Sequence, residues 1–348
     1  MRKQIYQIHK WLGLALAFLF LLQAVSGCAL VFRPQIQQVF VSEAPGQADI
    51  SPTDLDVILG QAREIFPAQP VERVLMPGSA AEPLVLRLSP GAGPRFVAVG
   101  QANGIVFEPL PAHTVMLALF DWHEALWAGR TGYILVTALG LCLVGFLISG
   151  IYFWWPLRAR QGLRIKWRGT RARRWYDVHR VLGVVTAPLL LLTACTGLVM
   201  LVRMLGAAAP VPGQVDPVYV SPSVLPSIIE EHEPGGCKAG CRRIKEIRLN
   251  REGRADFLLF SDDAPWPGAV DRLSVYSDGR PPALRLAAEV SGTAVVLGWM
   301  YPLHSGAVGN ALGRVLPLIS GLALGGLVVA GWFMWLARNA ARRKNKLP

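Results

Sequence analysis

Four stretches of the chain are apolar for long enough to cross a bilayer: Trp11–Phe32, Tyr133–Trp155, Val181–Val202 and Val315–Leu336. None of them contains Asp, Glu, Lys or Arg. An α-helix rises about 1.5 Å per residue, so roughly 20 apolar residues cover the hydrocarbon. A core helix of a water-soluble protein is rarely so long and so free of charge. The pattern predicts four transmembrane helices.

The polar segments between the spans read differently. In the first, Ser51-Pro52-Thr53-Asp54 opens a helix whose apolar spacing continues to Phe66 before Pro67 ends it. Short strands are expected at Val71–Leu75, Leu84–Leu88, Arg95–Val99 and Ile105–Phe107, with turns at Pro90-Gly91 and Asn103-Gly104. The second segment repeats that order, with a helix over Ser223–Glu231 and strands at Ile244–Leu249, Asp256–Phe260 and Leu273–Tyr276. Residues 207–221, rich in Pro and Ala, read as a linker. The expected fold is therefore a membrane protein of four transmembrane α-helices in two parallel repeats, with two small outer α+β domains. Its divisions are a terminus at 1–10, spans at 11–32, 133–155, 181–202 and 315–336, outer domains at 33–132 and 203–314, a loop at 156–180 and a tail at 337–348.

Charge sets the orientation. Residues 1–10, 156–180 and 337–348 together carry 17 of the 35 basic residues and one of the 23 acidic ones, Asp177. By the positive-inside rule these parts face the cytoplasm, so both termini are inside and the two large segments outside. The formal charge of +12 is then an orientation signal; nucleic acid is not an expected partner of a loop flanked by membrane helices, whereas lipid is. Val25-Ser26-Gly27-Cys28 has the look of a lipoprotein cleavage site, but the apolar run continues past Cys28. Cys28, Cys142 and Cys195 lie within spans and read as small packing residues. Cys237 and Cys241 fall in the second outer segment, where an oxidising compartment permits a loop disulfide.

Histidine carries the candidate chemistry. His9-Lys-Trp-Leu-Gly13 and His179-Arg-Val-Leu-Gly183 open the first and third spans. His123 precedes Gly140, Gly145, Gly150 and Trp154 by 17, 22, 27 and 31 residues, and His304 precedes Gly321, Gly326, Gly331 and Trp335 by the same intervals. One interfacial histidine is usually a polar residue at headgroup level; four at repeat-equivalent places suggest ligands. Imidazoles on opposite faces of a haem iron make a six-coordinate site suited to electron transfer. The simplest assembly pairs His9 with His179 and His123 with His304, giving two b-type haems, although the sequence leaves the pairing open. Gly13 and Gly27 share a helical stripe with His9, as Gly183 and Gly197 do with His179, and such a stripe makes room for a flat macrocycle. Gly321-x-x-x-Gly325 reads as a helix-packing contact instead. Lys10, Arg180, Arg130 and Arg314 lie near the histidines and are candidates to neutralise haem propionates, or to anchor headgroups. His113 and His232 have no repeat counterpart and read as surface residues. Asp177, two residues before His179, is a weak candidate for the acceptor that a ligating ring needs.

A set of motifs in order resembles the PepSY-associated transmembrane proteins. It comprises His9-Lys-Trp-Leu-Gly-Leu with Ser26-Gly27, Asp121-Trp-His123 followed by Gly150-Ile-Tyr-Phe-Trp-Trp155-Pro156, Asp177-Val-His179-Arg-Val-Leu-Gly183 with Thr196-Gly197, and Leu303-His304-Ser-Gly through Gly331-Trp-Phe-Met-Trp335. Within that family the chain is similar to the inner-membrane ferric-siderophore reductases. The resemblance implies haem b held by His9, His123, His179 and His304, and electrons passed from a cytoplasmic donor or quinol to a periplasmic ferric siderophore. Trp122, Trp127, Trp299 and Tyr301 flank the outer histidines and are the candidate chelate contacts. Other readings are electron exchange with quinone or another periplasmic partner, a membrane-anchored binding or inhibitory module, and a transporter.

Overall fold

The computed structural model describes residues 1–39, 52–77, 82–100, 105–157, 162–206, 244–250, 254–261, 263–276, 278 and 280–344. In chain order the helices are α1 (Arg2–Val31), α2 (Arg33–Val39), α3 (Pro52–Ile65), α4 (Pro111–Ala125), α5 (Gly129–Trp154), α6 (Arg171–Gly206), α7 (Thr293–Ser305) and α8 (Asn310–Lys344). The strands are β1 (Val71–Leu75), β2 (Leu84–Leu88), β3 (Phe96–Gly100), β4 (Val106–Pro109), β5 (Ile244–Asn250), β6 (Arg254–Phe260), β7 (Val270–Tyr276) and β8 (Ala283–Arg285). They divide into two compact units. One holds Met1–Arg33, Ala118–Ala208 and Leu297–Pro348; the other holds Pro34–Leu117 and Ala209–Val296.

The first unit is a helical bundle. Among the described residues four helices are long and apolar enough to cross a membrane: Arg2–Val31, Gly129–Leu157, Arg171–Gly206 and Leu312–Arg343. Each overruns its apolar stretch, because a helix continues past the hydrocarbon wherever residues of adequate propensity follow. Thus α6 starts at Arg171, where the Thr170 hydroxyl accepts the Arg173 backbone N–H at 3.3 Å as an N-cap. Side chains such as Phe18, Val25, Leu141, Ile148 and Leu322 stay exposed, as a lipid-facing surface requires. Helix α8 packs on α1 and α6, and α6 packs on α5. The Gly321/Gly325 expectation is met at the α1–α8 crossing: a Cβ on Gly321 would overlap Cys28 Sγ and lie 3.1 Å from the Ala24 carbonyl oxygen, while one on Gly325 would touch Leu21 and Ala24.

Asp177 is fully buried in this bundle. Its carboxylate accepts Arg173 Nε at 3.0 Å and the Lys166 backbone N–H at 3.2 Å, and pairs with Arg180 Nη2 at 3.2 Å. It holds the 162–166 segment against α6 and is not an acceptor for His179, which corrects the expectation for this residue.

The second unit is one antiparallel sheet of order β4-β3-β2-β1-β5-β6-β7-β8. Two separate outer domains were expected. Instead two four-stranded meanders join at β1 and β5 through the pairs Arg73↔Arg248, Val74↔Ile247 and Leu75↔Glu246. Pairing between strands so far apart in sequence leaves no local signature, whereas the hairpins within each meander do. Leu55, Ile58 and Leu59 of α3 share a continuous core with Val74, Leu86 and Val97 of one meander and Ile247, Phe257 and Leu273 of the other. The predicted strands are found, extended by one to three residues at several ends, and β8 is additional: it follows Pro281-Pro282 and pairs with β7 for only three residues. His123 and His304, expected within the outer domains, belong to the bundle unit. They lie on α4 and α7, apolar helices too short to span and therefore invisible to a search for spans. The helix at 223–231, the linker at 207–221, the Asn103-Gly104 turn, His232, Cys237 and Cys241 lie outside the described residues.

Two outcomes test this packing. Phe257→Ala empties a fully buried site in the shared sheet core and should cost about 3–5 kcal/mol in the unfolding free energy. Asp177→Asn leaves buried Arg180 without its carboxylate and should cost about 3–5 kcal/mol, read from the unfolding midpoint in detergent.

Candidate functional site: two histidine pairs

The bundle brings the four histidines together as two pairs. The His9 and His179 rings have centroids 6.4 Å apart at an interplanar angle of 82°. The His123 and His304 rings have centroids 6.3 Å apart at 56°. With metal–nitrogen distances of about 2.0 Å and ring nitrogens about 1.1 Å from the ring centre, two imidazoles on opposite sides of one metal ion place their centres roughly 6.3 Å apart. Both pairs have this spacing.

Each ring is held through Nδ1. His9 Nδ1 lies 2.7 Å from Ser149 Oγ, whose own proton goes to the Phe146 carbonyl at 3.1 Å. His123 Nδ1 lies 2.9 Å from Ser26 Oγ, which in turn donates to the Gln23 carbonyl at 3.1 Å. His179 Nδ1 donates to the Leu327 carbonyl at 2.9 Å. His304 Nδ1 donates to the Thr193 carbonyl at 2.9 Å and lies 3.2 Å from Thr196 Oγ1. Carbonyl oxygens only accept, so His179 and His304 carry the proton on Nδ1, which leaves the Nε2 lone pair for a metal. Ser149 and Ser26 accept from Nδ1 of His9 and His123 when each hydroxyl donates to its own carbonyl, the arrangement that frees Nε2 in these two rings as well. Outside the four spans, burial and then the neighbouring His304 lower His123 to about 4, and burial lowers His304, so both rings are neutral at pH 7.

Glycine makes room for two of these rings. In a helix the side chain of residue i+4 leans back over the carbonyl of residue i. Thr193 is followed four residues later by Gly197, where a Cβ would come within 2.9 Å of His304 Cε1, so the missing side chain opens a lateral path to the Thr193 carbonyl. Gly331 stands in the same relation to Leu327, and a Cβ there would meet the His179 ring at 3.6 Å, an ordinary van der Waals contact. At Gly27 a Cβ would lie 3.1 Å from His123 Cε1. The glycine stripe was expected to clear space for a macrocycle. At Gly27 and Gly197 the space is filled by an imidazole, and Gly13 and Gly183 face Phe146 and Leu327.

The remaining candidates separate. Arg180 is buried beside Asp177, and its Nη2 donates to the Arg164 carbonyl at 2.7 Å. Lys10 lies 4.0 Å over the Trp11 ring. Arg130 is exposed and Arg314 half-buried, and among the described residues neither bonds to the outer histidines. Trp122 stands edge-on to Trp127 at 5.0 Å, and the Trp127 indole donates to the Ala118 carbonyl at 2.6 Å. Trp127 and Tyr301 are exposed and Trp299 is half-buried. His113, expected at the surface, is half-buried in the sheet unit with its ring 5.7 Å from Phe96. Among the described residues no three His, Cys, Asp or Glu converge as a metal site, so the ligand sets on offer are the two pairs.

Sequence reasoning missed Ser149, Ser26, Thr193, Thr196 and Leu327 as partners of the rings. Ser26 and Thr196 had a signal: each stands 17 residues after its span's histidine and directly before a glycine. That interval is also a ruler. Ser26 touches His123 and Thr196 touches His304, so the two pairs are separated by roughly 25 Å along the helices.

No curated protein matches the chain. The family described as the PepSY-associated TM region matches residues 6–338, nearly the whole length. The chain, a multi-pass membrane protein with paired histidines toward both ends of its bundle, belongs to the PepSY-associated transmembrane family.

Proposed function

We propose that this protein is a transmembrane haem oxidoreductase of the bacterial inner membrane, passing electrons from the cytoplasmic side or the quinol pool to a periplasmic ferric siderophore. The observation that carries the reading is the pair of imidazole pairs at metal-spanning distance, each ring with Nδ1 engaged. His9 with His179, and His123 with His304, would hold two b haems, which would supply the one-electron chemistry when bound.

The chain's own contribution is positional. Ser149, Ser26 and the Leu327 and Thr193 carbonyls fix ring orientation and raise ligand basicity by drawing on the Nδ1 proton. Aromatic packing holds the inner pair: Phe146 and Phe153 stand edge-on to His9 at 5.2 and 6.2 Å. Apolar helix between the pairs excludes water from the path. The basic ends at 1–10, 156–180 and 337–348 face the cytoplasm, so His123 and His304 lie on the periplasmic side with exposed Trp127 and Tyr301 near them. Siderophores hold ferric iron through hard oxygen donors. Ferrous iron carries less charge and is softer, so its reduction loosens the chelate and releases the metal.

The visible spectrum of the purified chain tests the ligand assignment. The wild type should show the Soret and alpha bands of low-spin b haem. His123→Ala should remove or alter one haem and His179→Ala the other. Ser26→Ala should weaken retention of the outer haem roughly 10–100-fold. Unchanged haem content and spectrum in every histidine variant would overturn the assignment. For the substrate, dithionite-reduced protein freed of excess reductant is mixed anaerobically with ferric siderophores. Rapid reoxidation, with ferrous iron trapped by a chelator, is the expected result. Reoxidation by quinone alone would replace the siderophore with a quinone partner.

A further inference from the structure

One turn beyond the inner histidine pair, towards the basic end of the bundle, a cavity of about 530 Å³ opens among α1, α6 and α8. Tyr6 and Tyr176, each three residues before its helix's histidine, line it together with Arg173, Arg180 and Arg338. No histidine lines it, so it is a space separate from that between the rings. Its volume falls within the range of small-molecule sites, about 300–1,000 Å³.

The charges around it do not balance. Asp177 pairs with both Arg173 and Arg180. Among the described residues the partners of Arg338 are neutral: its Nη1 donates to the Tyr6 hydroxyl at 2.7 Å and its guanidinium lies 5.9 Å from the centre of the Tyr176 ring. Three guanidiniums thus meet one carboxylate among the described residues. Arg180 is 7% exposed, and among the described residues its Nε and Nη1 have no hydrogen-bond partner. Buried guanidinium N–H groups without an acceptor are costly, and a bound anion removes that cost. Ala172, in the first turn of α6, also lines the cavity, so the positive end of a 36-residue helix points the same way.

We propose that this cleft binds a phosphate-type oxyanion, with Arg180 and Arg338 as its principal donors and Arg173 held alongside by Asp177. Forked guanidinium donors around one anion match the tetrahedral oxygens of phosphate. The phosphate belongs either to the headgroup of an anionic lipid or to a soluble phosphate-bearing molecule. The site does not depend on the redox reading, and haem is not needed to observe it.

The test uses the full chain in phosphatidylcholine nanodiscs. Inorganic pyrophosphate is titrated by calorimetry, and retention of added phosphatidylglycerol is followed by native mass spectrometry. At least one probe should bind the wild type, and Arg338→Gln should weaken it on the order of tenfold or more. Arg343→Gln, an exposed charge on the same helix, should leave binding unchanged. Pyrophosphate binding alone identifies a soluble phosphate, phosphatidylglycerol retention alone a headgroup, and both together a site open to either; each supports the proposal. Binding of neither probe would overturn it. So would equal losses in Arg338→Gln and Arg343→Gln, which would mean bulk charge without a site. A haem spectrum altered in Arg338→Gln while probe affinity is unchanged would assign the cleft to the cofactor's carboxylates and overturn the proposal, leaving the redox reading intact.

Discussion

A neutral imidazole in an apolar bundle has one N–H that must find an acceptor, and the arrangement of this protein follows from where the four find theirs. Each bond crosses to a different helix: α1 to α5, α4 to α1, α6 to α8, and α7 to α6. A buried donor left unpaired costs about 1–3 kcal/mol, more than a typical hydrogen bond gains. These contacts therefore decide register more than they add stability. They also account for α4 and α7. Neither helix is long enough to span, yet each is pinned to a span by its terminal histidine. The chain leaves α4 through Leu126 and Trp127, both at positive φ, and leaves α7 through Gly306, also at positive φ. Two consecutive non-glycine residues in that region are strained. The strain directly follows His123, where ring placement and the start of α5 at Gly129 must both be satisfied.

Glycine and histidine act as one device in this bundle. An uncovered carbonyl is useful only if a donor reaches it, and an imidazole buried in the bundle is tolerable only if it reaches an oxygen. Gly197 with Thr193 supplies that opening for His304, and Gly331 stands at the same i, i+4 interval from the Leu327 carbonyl that accepts from His179. Polar side chains inside a membrane are expensive, and those that persist mark pathways or sites. Here the result is two sites with their second nitrogens left available, about 25 Å apart. That separation approaches the hydrocarbon thickness, as the proposed passage of electrons between two aqueous phases requires.

Much of this was legible in the chain, for identifiable reasons. The spans follow from long charge-free runs, and the identical spacing after His123 and His304 marked the histidines as a set. The i, i+4 reading of Gly321 and Gly325 was local and held. What could not be read was non-local. The junction of β1 with β5 joins residues about 170 positions apart in a pairing that neither strand's own pattern specifies. Helices α4 and α7 were merged into the outer segments because their apolar runs are too short to register as spans. Acceptors such as the Leu327 and Thr193 carbonyls are backbone atoms, which have no residue identity to recognise. Arg338 read only as part of a basic tail, since its position beside Tyr6 arises from the α1–α8 packing.

The proposed function requires iron held between imidazoles contributed by opposite halves of the chain. The most direct measurement is a redox titration of the purified protein with haem quantified per polypeptide. Two b haems per chain, low-spin and titrating as separate components, are the predicted result. A colourless preparation from cells making haem normally would contradict it, and the histidine pairs would then be structural hydrogen-bonding elements of the bundle.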